Sequence, residues 1–235
     1  MLSKTRIDRL GDKLRAKQLD ATCITELDEF RGLFVPAYRF VEDVLANKMG
    51  LRVTGRPAKS TVAILEKLNR ESVRLSQMQD VAGCRVLVSD LFEQNRVVQD
   101  IQIYIGNLVV DDKRNSPKNG YRAVHIISME GGRPVEIQVR TRLQHAWAEI
   151  SEKVADRFGH EIKYGKGDEG AILFLNRLSS VTSRLEDVEA RRSLALEKRR
   201  AFGKNKETND ILKKINKEHR DLFRELNSVF AGRGV

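Results

Sequence analysis

Between Gly83 and Thr141 the apolar residues change their period, and this change restricts the fold more than any other feature of the sequence. "GCRVLVSD" (83–90) is short and β-rich, whereas "LFEQNRVVQDIQIYI" (91–105) has helical spacing. The next segments read as strand in "NLVVDDKR" (107–114), loop in "NSPKNG" (115–120) and strand in "YRAVHIISM" (121–129). A turn at "GGRP" (131–134) leads into a last strand, "VEIQVRT" (135–141). Strands at both ends of a helix, followed by a hairpin, require a sheet with helices packed on it. The expected class is α+β, with a mixed sheet of about five strands.

Helical patterns flank this segment. Residues 1–50 read as helix, with Pro36 dividing or kinking it and Gly50 ending it. A further helix, "STVAILEKLNRES", follows, with Ser60 as N-cap and Val62, Leu65 and Leu68 along one face. From "LQHAWAEISEKV" the helical pattern continues to the end, interrupted near Gly159–Gly170 and at Gly203. Three regions result: an N-terminal helical extension (1–50), a central domain that holds the strands (51–160) and a basic helical extension (161–235).

The 235 residues carry a formal charge of +10 and a pI near 9.7, which favours an anionic partner: a nucleotide, a nucleic acid or a membrane surface. No apolar run approaches the length of a membrane span, and the N-terminus has no apolar core like that of a signal peptide. The expectation is cytoplasmic, with no membrane partner. Cys23 and Cys84, the only cysteines, lack metal-cage spacing. The basic run around Arg191–Lys206 reads as a solvated helix face before it reads as an RNA-binding arm.

The candidate chemistry lies on the strands. Alternation in "VEIQVRT" puts Glu136, Gln138 and Arg140 on one face and Val135, Ile137, Val139 and Thr141 on the other. Alternation in "YRAVHI" groups Tyr121, Ala123 and His125, and a hairpin through "GGRP" brings the two polar faces together. A tyrosine at the mouth of such a face has the shape to stack on a planar base. Asp80 precedes a strand and Arg85 lies within it; with Glu136, Asp80 offers the oxygen ligands that Mg²⁺ takes when it also holds substrate phosphates. Upstream are Arg56, Lys59 and Lys67, the two lysines about two helical turns apart. No P-loop is present, so a nucleotide must be held by another device.

In this order, "GRPAKSTVAILEKL", "QDVAGCRVLVSD", "KNGYRAVH" and "VEIQVRTRLQHAWAEI" resemble the synthetase domain of the RelA/SpoT homologue family, over roughly Gly55 to Ala155. The resemblance implies a small alarmone synthetase with a nucleotidyltransferase-like synthetase fold. Such enzymes transfer the β,γ-pyrophosphate of ATP to the ribose 3′-hydroxyl of GDP or GTP. It further implies that Glu136 activates the hydroxyl and, with Asp80, holds Mg²⁺. Arg56 and Arg85 would sandwich the adenine, and Lys59 and Lys67 would neutralise phosphate charge. Tyr121 would stack on the acceptor base beside His125, Gln138, Lys118 and Asn119.

The sequence departs from the family pattern in places: Arg56 stands three residues before Lys59, Ala63 replaces a serine, Pro117-Lys118 is inverted, and Glu152 follows "WAEI" where a histidine is common. Alternative readings are transfer to the 3′ end of tRNA, synthesis of adenosine alarmones, and a degenerate relative that only binds nucleotide or RNA. The stripe Ile211, Ile215, Leu222 and Leu226 serves either a homo-oligomer or packing on the chain's own domain.

Overall fold

The computed structural model describes residues 2–231. Its helices are α1 (Lys4–Arg15), α2 (Ala21–Gly32), α3 (Val35–Asp43), α4 (Thr61–Arg70), α5 (Leu91–Tyr104), α6 (Arg142–Phe158), α7 (Glu169–Phe202) and α8 (Lys206–Ala231). The strands are β1 (Val53–Arg56), β2 (Ala82–Val88), β3 (Leu108–Asp112), β4 (Val124–Glu130) and β5 (Arg133–Thr141). They form one mixed five-stranded sheet in the order β1-β2-β5-β4-β3.

The chain forms two compact units, neither continuous in sequence. The first contains the residues up to Val86 with Ile101–Asp111 and His125–Gln138; the second contains Leu87–Asp100, Asp112–Val124 and the residues from Val139 on. Residue 1 and residues 232–235, the outer ends of the two expected extensions, lie outside the described residues.

In the first unit the N-terminal helical reading resolves into three helices, the first two with side-chain caps. Ser3 and Asp20 accept from the amides of Arg6 and Cys23 and so begin α1 and α2. Pro36 sits in the first turn of α3, where its missing N–H leaves nothing unsatisfied, so it separates two helices and kinks neither. Five residues with π-helical bonding (Val44–Lys48) follow, and the chain turns at Gly50, whose φ of 66° suits glycine. Ser60 caps α4 as expected, but the buried face is Ile64 and Leu68; Val62 is 63% exposed. Ile64 and Leu68 are four apart and share one face, whereas Val62 falls outside that stripe.

The strands alternate as the pleat requires. Ala82, Cys84 and Val86 of β2, Val135 and Ile137 of β5, and Ile126 of β4 are buried, while Gly83, Arg85, Glu136, Gln138 and His125 occupy the intervening positions. Gly131 and Gly132, with φ of 53° and 74°, form the two-residue link from β4 to β5, as a type I′ hairpin demands. The strand absent from the sequence reading is β1. It is only four residues long, largely exposed, and runs antiparallel to β2 with Gly55 opposite Cys84. A Cβ on Gly55 would lie 2.7 Å from both the Cys84 Cα and the Gly83 carbonyl oxygen, so the pairing is as close as glycine alone permits.

In the second unit Thr141 ends β5 and caps α6 through a reciprocal capping box with Gln144. Leu212, Ile215 and Leu222 of α8 are buried against Val181, Leu185, Val188 and Ala195 of α7. Packing within the chain therefore accounts for most of the C-terminal stripe. Ile211, counted in that stripe from spacing, is 44% exposed; its neighbour Leu212 is the buried residue.

Candidate active site

One cavity of about 520 Å³ in the first unit is lined by Arg56, Lys59, Asp80, Gly83, Arg85, His125, Glu136 and Gln138, among others. It gathers residues from four strands and the two loops that follow β1 and precede β2. The β1–β2 register pairs Thr54 with Arg85 and Arg56 with Gly83. Arg56 and Arg85 therefore lie diagonally on one face of the pair, and Gly83 leaves the space beside them open. A Cβ on Gly83 would stand 3.1 Å from the Glu136 carbonyl oxygen, a tight approach to β5.

Lys59 and Lys67 do not share a helix face, because Lys59 precedes the Ser60 cap. They nevertheless converge. Both ammonium groups meet the same oxygen, Oδ2 of Asp80, at 2.6 and 2.8 Å. Burial alone would raise the Asp80 carboxyl, but hydrogen bonds and charge from the two lysines prevail and hold it below its ordinary value. The other oxygen, Oδ1, is buried without a hydrogen-bond partner.

Glu136 is held at both oxygens. His125 Nδ1 lies 2.8 Å from Oε1, and Gln138 Nε2 donates to Oε2 at 2.7 Å. Here too burial pushes the carboxyl up, and the His125 contact followed by the Gln138 hydrogen bond brings it below its usual value. The meeting of the Glu136 and His125 faces across the hairpin is thus as alternation predicted. Glu136 also feels the charge of Asp80. A buried orphan oxygen on one carboxylate and a second carboxylate lining the same cavity fit a hard, oxygen-seeking cation that completes its shell with phosphate. Among the described residues no group of three or more His, Cys, Asp or Glu is placed to hold an ion by itself.

Tyr121 does not lie on the strand with His125. The strand starts at Val124, and Tyr121 closes a turn, Lys118–Tyr121, in the second unit. Its amide donates to the Lys118 carbonyl at 3.0 Å, and the two central residues, Asn119 and Gly120, have φ of 52° and 84°. This is the Asn-Gly signature of a type I′ turn. The Asn119 side chain donates to the Lys163 carbonyl at 3.0 Å. The Tyr121 ring is tilted against Trp147 with centroids 6.3 Å apart, and Arg140 donates to its hydroxyl at 2.6 Å. Arg140, which alternation grouped with Glu136 and Gln138, is 94% buried and serves Tyr121.

Each sequence-derived site residue therefore falls in one of two clusters. Arg56, Lys59, Lys67, Asp80, Arg85, His125, Glu136 and Gln138 belong to the first unit; Lys118, Asn119 and Tyr121 belong to the second. The sequence reading passed over Thr54, Gly55 and Gly83 of the cavity wall, which required recognition of β1 as a strand. It also passed over Trp147, although "HAWAEI" carries the chain's single tryptophan.

The family model described as the region found in RelA / SpoT proteins matches residues 55–164. A Mycobacterium tuberculosis protein named as uncharacterized is 41% identical over 124 residues, which are 51% of this chain and 45% of that protein. This chain thus spans less than half the length of the mycobacterial relatives it matches. The GTP pyrophosphokinase YjbM of Bacillus subtilis is 28% identical over 208 residues, covering 76% of this chain and 95% of that protein. Two crystal structures of small alarmone synthetase 1 from Bacillus subtilis share the fold. The first has a TM-score of 0.56 at 25% identity, covering 73% of this chain and 99% of that one. The second, bound to its product pppGpp, has a TM-score of 0.53 at 26% identity, covering 69% and 95%. Residues 55–164 thus match the region found in RelA / SpoT proteins, and the chain shares its fold with a small alarmone synthetase.

Proposed function

We propose that the chain is an ATP-dependent pyrophosphokinase that transfers the β,γ-pyrophosphate of ATP to the 3′-hydroxyl of GDP or GTP. The observation that carries this reading is the ordered polar face of one cavity, where Arg56, Arg85, Lys59, Asp80, Glu136 and His125 meet. Two relatives support it: a GTP pyrophosphokinase by name, and a small alarmone synthetase crystallised with pppGpp.

In this reading the planar guanidiniums of Arg56 and Arg85 clasp the adenine. Lys59, Lys67 and Asp80 carry a net charge of +1, which a polyphosphate complements. Asp80 and Glu136 are the residues that would hold Mg²⁺, which supplies charge neutralisation along the phosphate chain. Tyr121, with Lys118 and Asn119 in its turn, receives the acceptor base.

The acceptor 3′-oxygen bonds to the β-phosphorus, the bond between that phosphorus and the α-phosphate oxygen breaks, and AMP departs. The hydroxyl proton passes to Glu136. A carboxylate held below its ordinary pKa is a weak base, so orienting the hydroxyl is its larger contribution; a loose phosphoryl-transfer transition state needs little proton removal early on. His125 keeps that carboxylate ionised and fixed.

The test is to incubate the protein with γ-labelled ATP and Mg²⁺ and, separately, with GDP, GTP, ADP or deacylated tRNA. Label in GDP or GTP is expected. Label in tRNA or ADP alone would move the acceptor, and no label in any acceptor would refute the enzymatic reading.

A further inference from the structure

The matched family region ends at residue 164, yet the Tyr121 turn is anchored to a helix beyond it. Ser179 Oγ donates to the Gly120 carbonyl at 2.7 Å. Four and seven residues further along α7, Ser183 and Glu186 both engage Arg122, the residue after Tyr121. Arg122 Nη1 donates to Ser183 Oγ, and Nη2 lies 3.3 Å from Glu186 Oε2. The spacing of 179, 183 and 186 puts all three side chains on one helix face. We propose that this face of α7 is the positioning element of the acceptor turn: Ser179, Ser183 and Glu186 fix residues 118–122 and thereby set the affinity for the acceptor. The proposal rests on the reading of Tyr121 as the acceptor platform.

Three features indicate more than generic packing. Glu186 is only 1% exposed, and burying a carboxylate there is costly unless it is paired. It is paired twice, by Arg122 and by the Thr141 hydroxyl at the start of α6. An apolar contact would fasten a loop at lower cost, whereas a charge-paired polar contact also dictates direction. The cost is visible in Glu186 Oε2 and Arg122 Nε, which are buried without a hydrogen bond, and in a Glu186 carboxyl that burial pushes above its ordinary value. The contacts fall on residues either side of Tyr121, so they fix its backbone and leave the ring to Arg140 and Trp147. The turn also fits closely. A Cβ on Gly120 would come within 2.9 Å of both the Ser179 Cβ and Trp147 Cζ2, so the glycine serves the close approach as well as the positive φ.

The test uses the full chain with Ser179→Ala, Ser183→Ala and Glu186→Gln, measuring KM for acceptor and for ATP separately, together with amide exchange across residues 119–123. Loss of one anchor is expected to raise the acceptor KM about tenfold, to leave the ATP KM within about twofold, and to speed exchange in the turn. Equal rises in both KM values, or unchanged acceptor KM in all three variants, would overturn the proposal. Should Glu186→Gln fail to fold, the two serine variants decide it. If wild-type protein labels no acceptor, the proposed function fails by itself; exchange in the turn then decides the anchoring, unchanged rates refuting it and faster rates upholding it.

Discussion

Replacing Asp80 by asparagine removes the charge that holds Lys59 and Lys67 together. Both ammonium nitrogens contact one oxygen, at 2.6 and 2.8 Å, so they are at most about 5.4 Å apart. Two unit charges at that distance repel by about 3 kcal/mol at an effective dielectric constant of 20. Each lysine side chain is less than one-fifth exposed, so relaxation towards solvent is limited. A loss of about 2–3 kcal/mol of stability at neutral pH is expected, measured by urea unfolding followed by far-UV circular dichroism.

The difference should vanish in acid. The folded Asp80 carboxyl lies below its unfolded value of about 3.9, so its contribution is complete above that pH and is lost as pH falls through the lower folded value. The same variant should bind metal-free ATP more tightly, by several fold in calorimetry with EDTA, because the lysines no longer have a competing anion. It should also lose the increment that Mg²⁺ gives the wild type. An unfolding midpoint unchanged at neutral pH, or weaker metal-free ATP binding, would refute the argument.

Glu136→Gln should lower kcat at least about 100-fold in the labelled-ATP assay with little change in metal-free ATP binding, because it removes the ionised partner of His125 while keeping the side-chain volume. Tyr121→Ala should raise the acceptor KM about tenfold or more, consistent with a stacking contact, and Tyr121→Phe, which deletes only the hydroxyl that Arg140 donates to, should raise it less. Gly55→Ala should destabilise the protein by about 1–3 kcal/mol in urea unfolding, since the added methyl meets backbone atoms of β2 that cannot swing aside.

The sheet was legible where the pattern was long. β2, β4 and β5 have seven to nine residues each, and their alternation alone placed Glu136 and His125 face to face. β1 escaped because four exposed residues have no hydrophobic pattern; its identity rests on backbone pairing and on a glycine that allows it. Tyr121 was singled out as a candidate residue, but its placement on the strand was not correct. Two positive-φ residues immediately before it start a turn, and the period-of-two rule does not extend through a turn. The anchors on α7 were invisible for a different reason. Ser179, Ser183 and Glu186 lie some sixty residues from the loop they hold, and no local pattern encodes a partner at that distance.

The lysine–aspartate cluster bears on the entropy of nucleotide capture. A free lysine side chain loses up to about 2 kcal/mol of rotamer freedom when it is immobilised. Lys59 and Lys67 already rest on a common oxygen when the protein folds. An arriving polyphosphate therefore meets two ammonium groups already confined near their working positions, and most of their ordering belongs to folding rather than to binding. Asp80 thus acts as a template for the anion it precedes, a gain in order set against the competition of its own charge for the same two lysines.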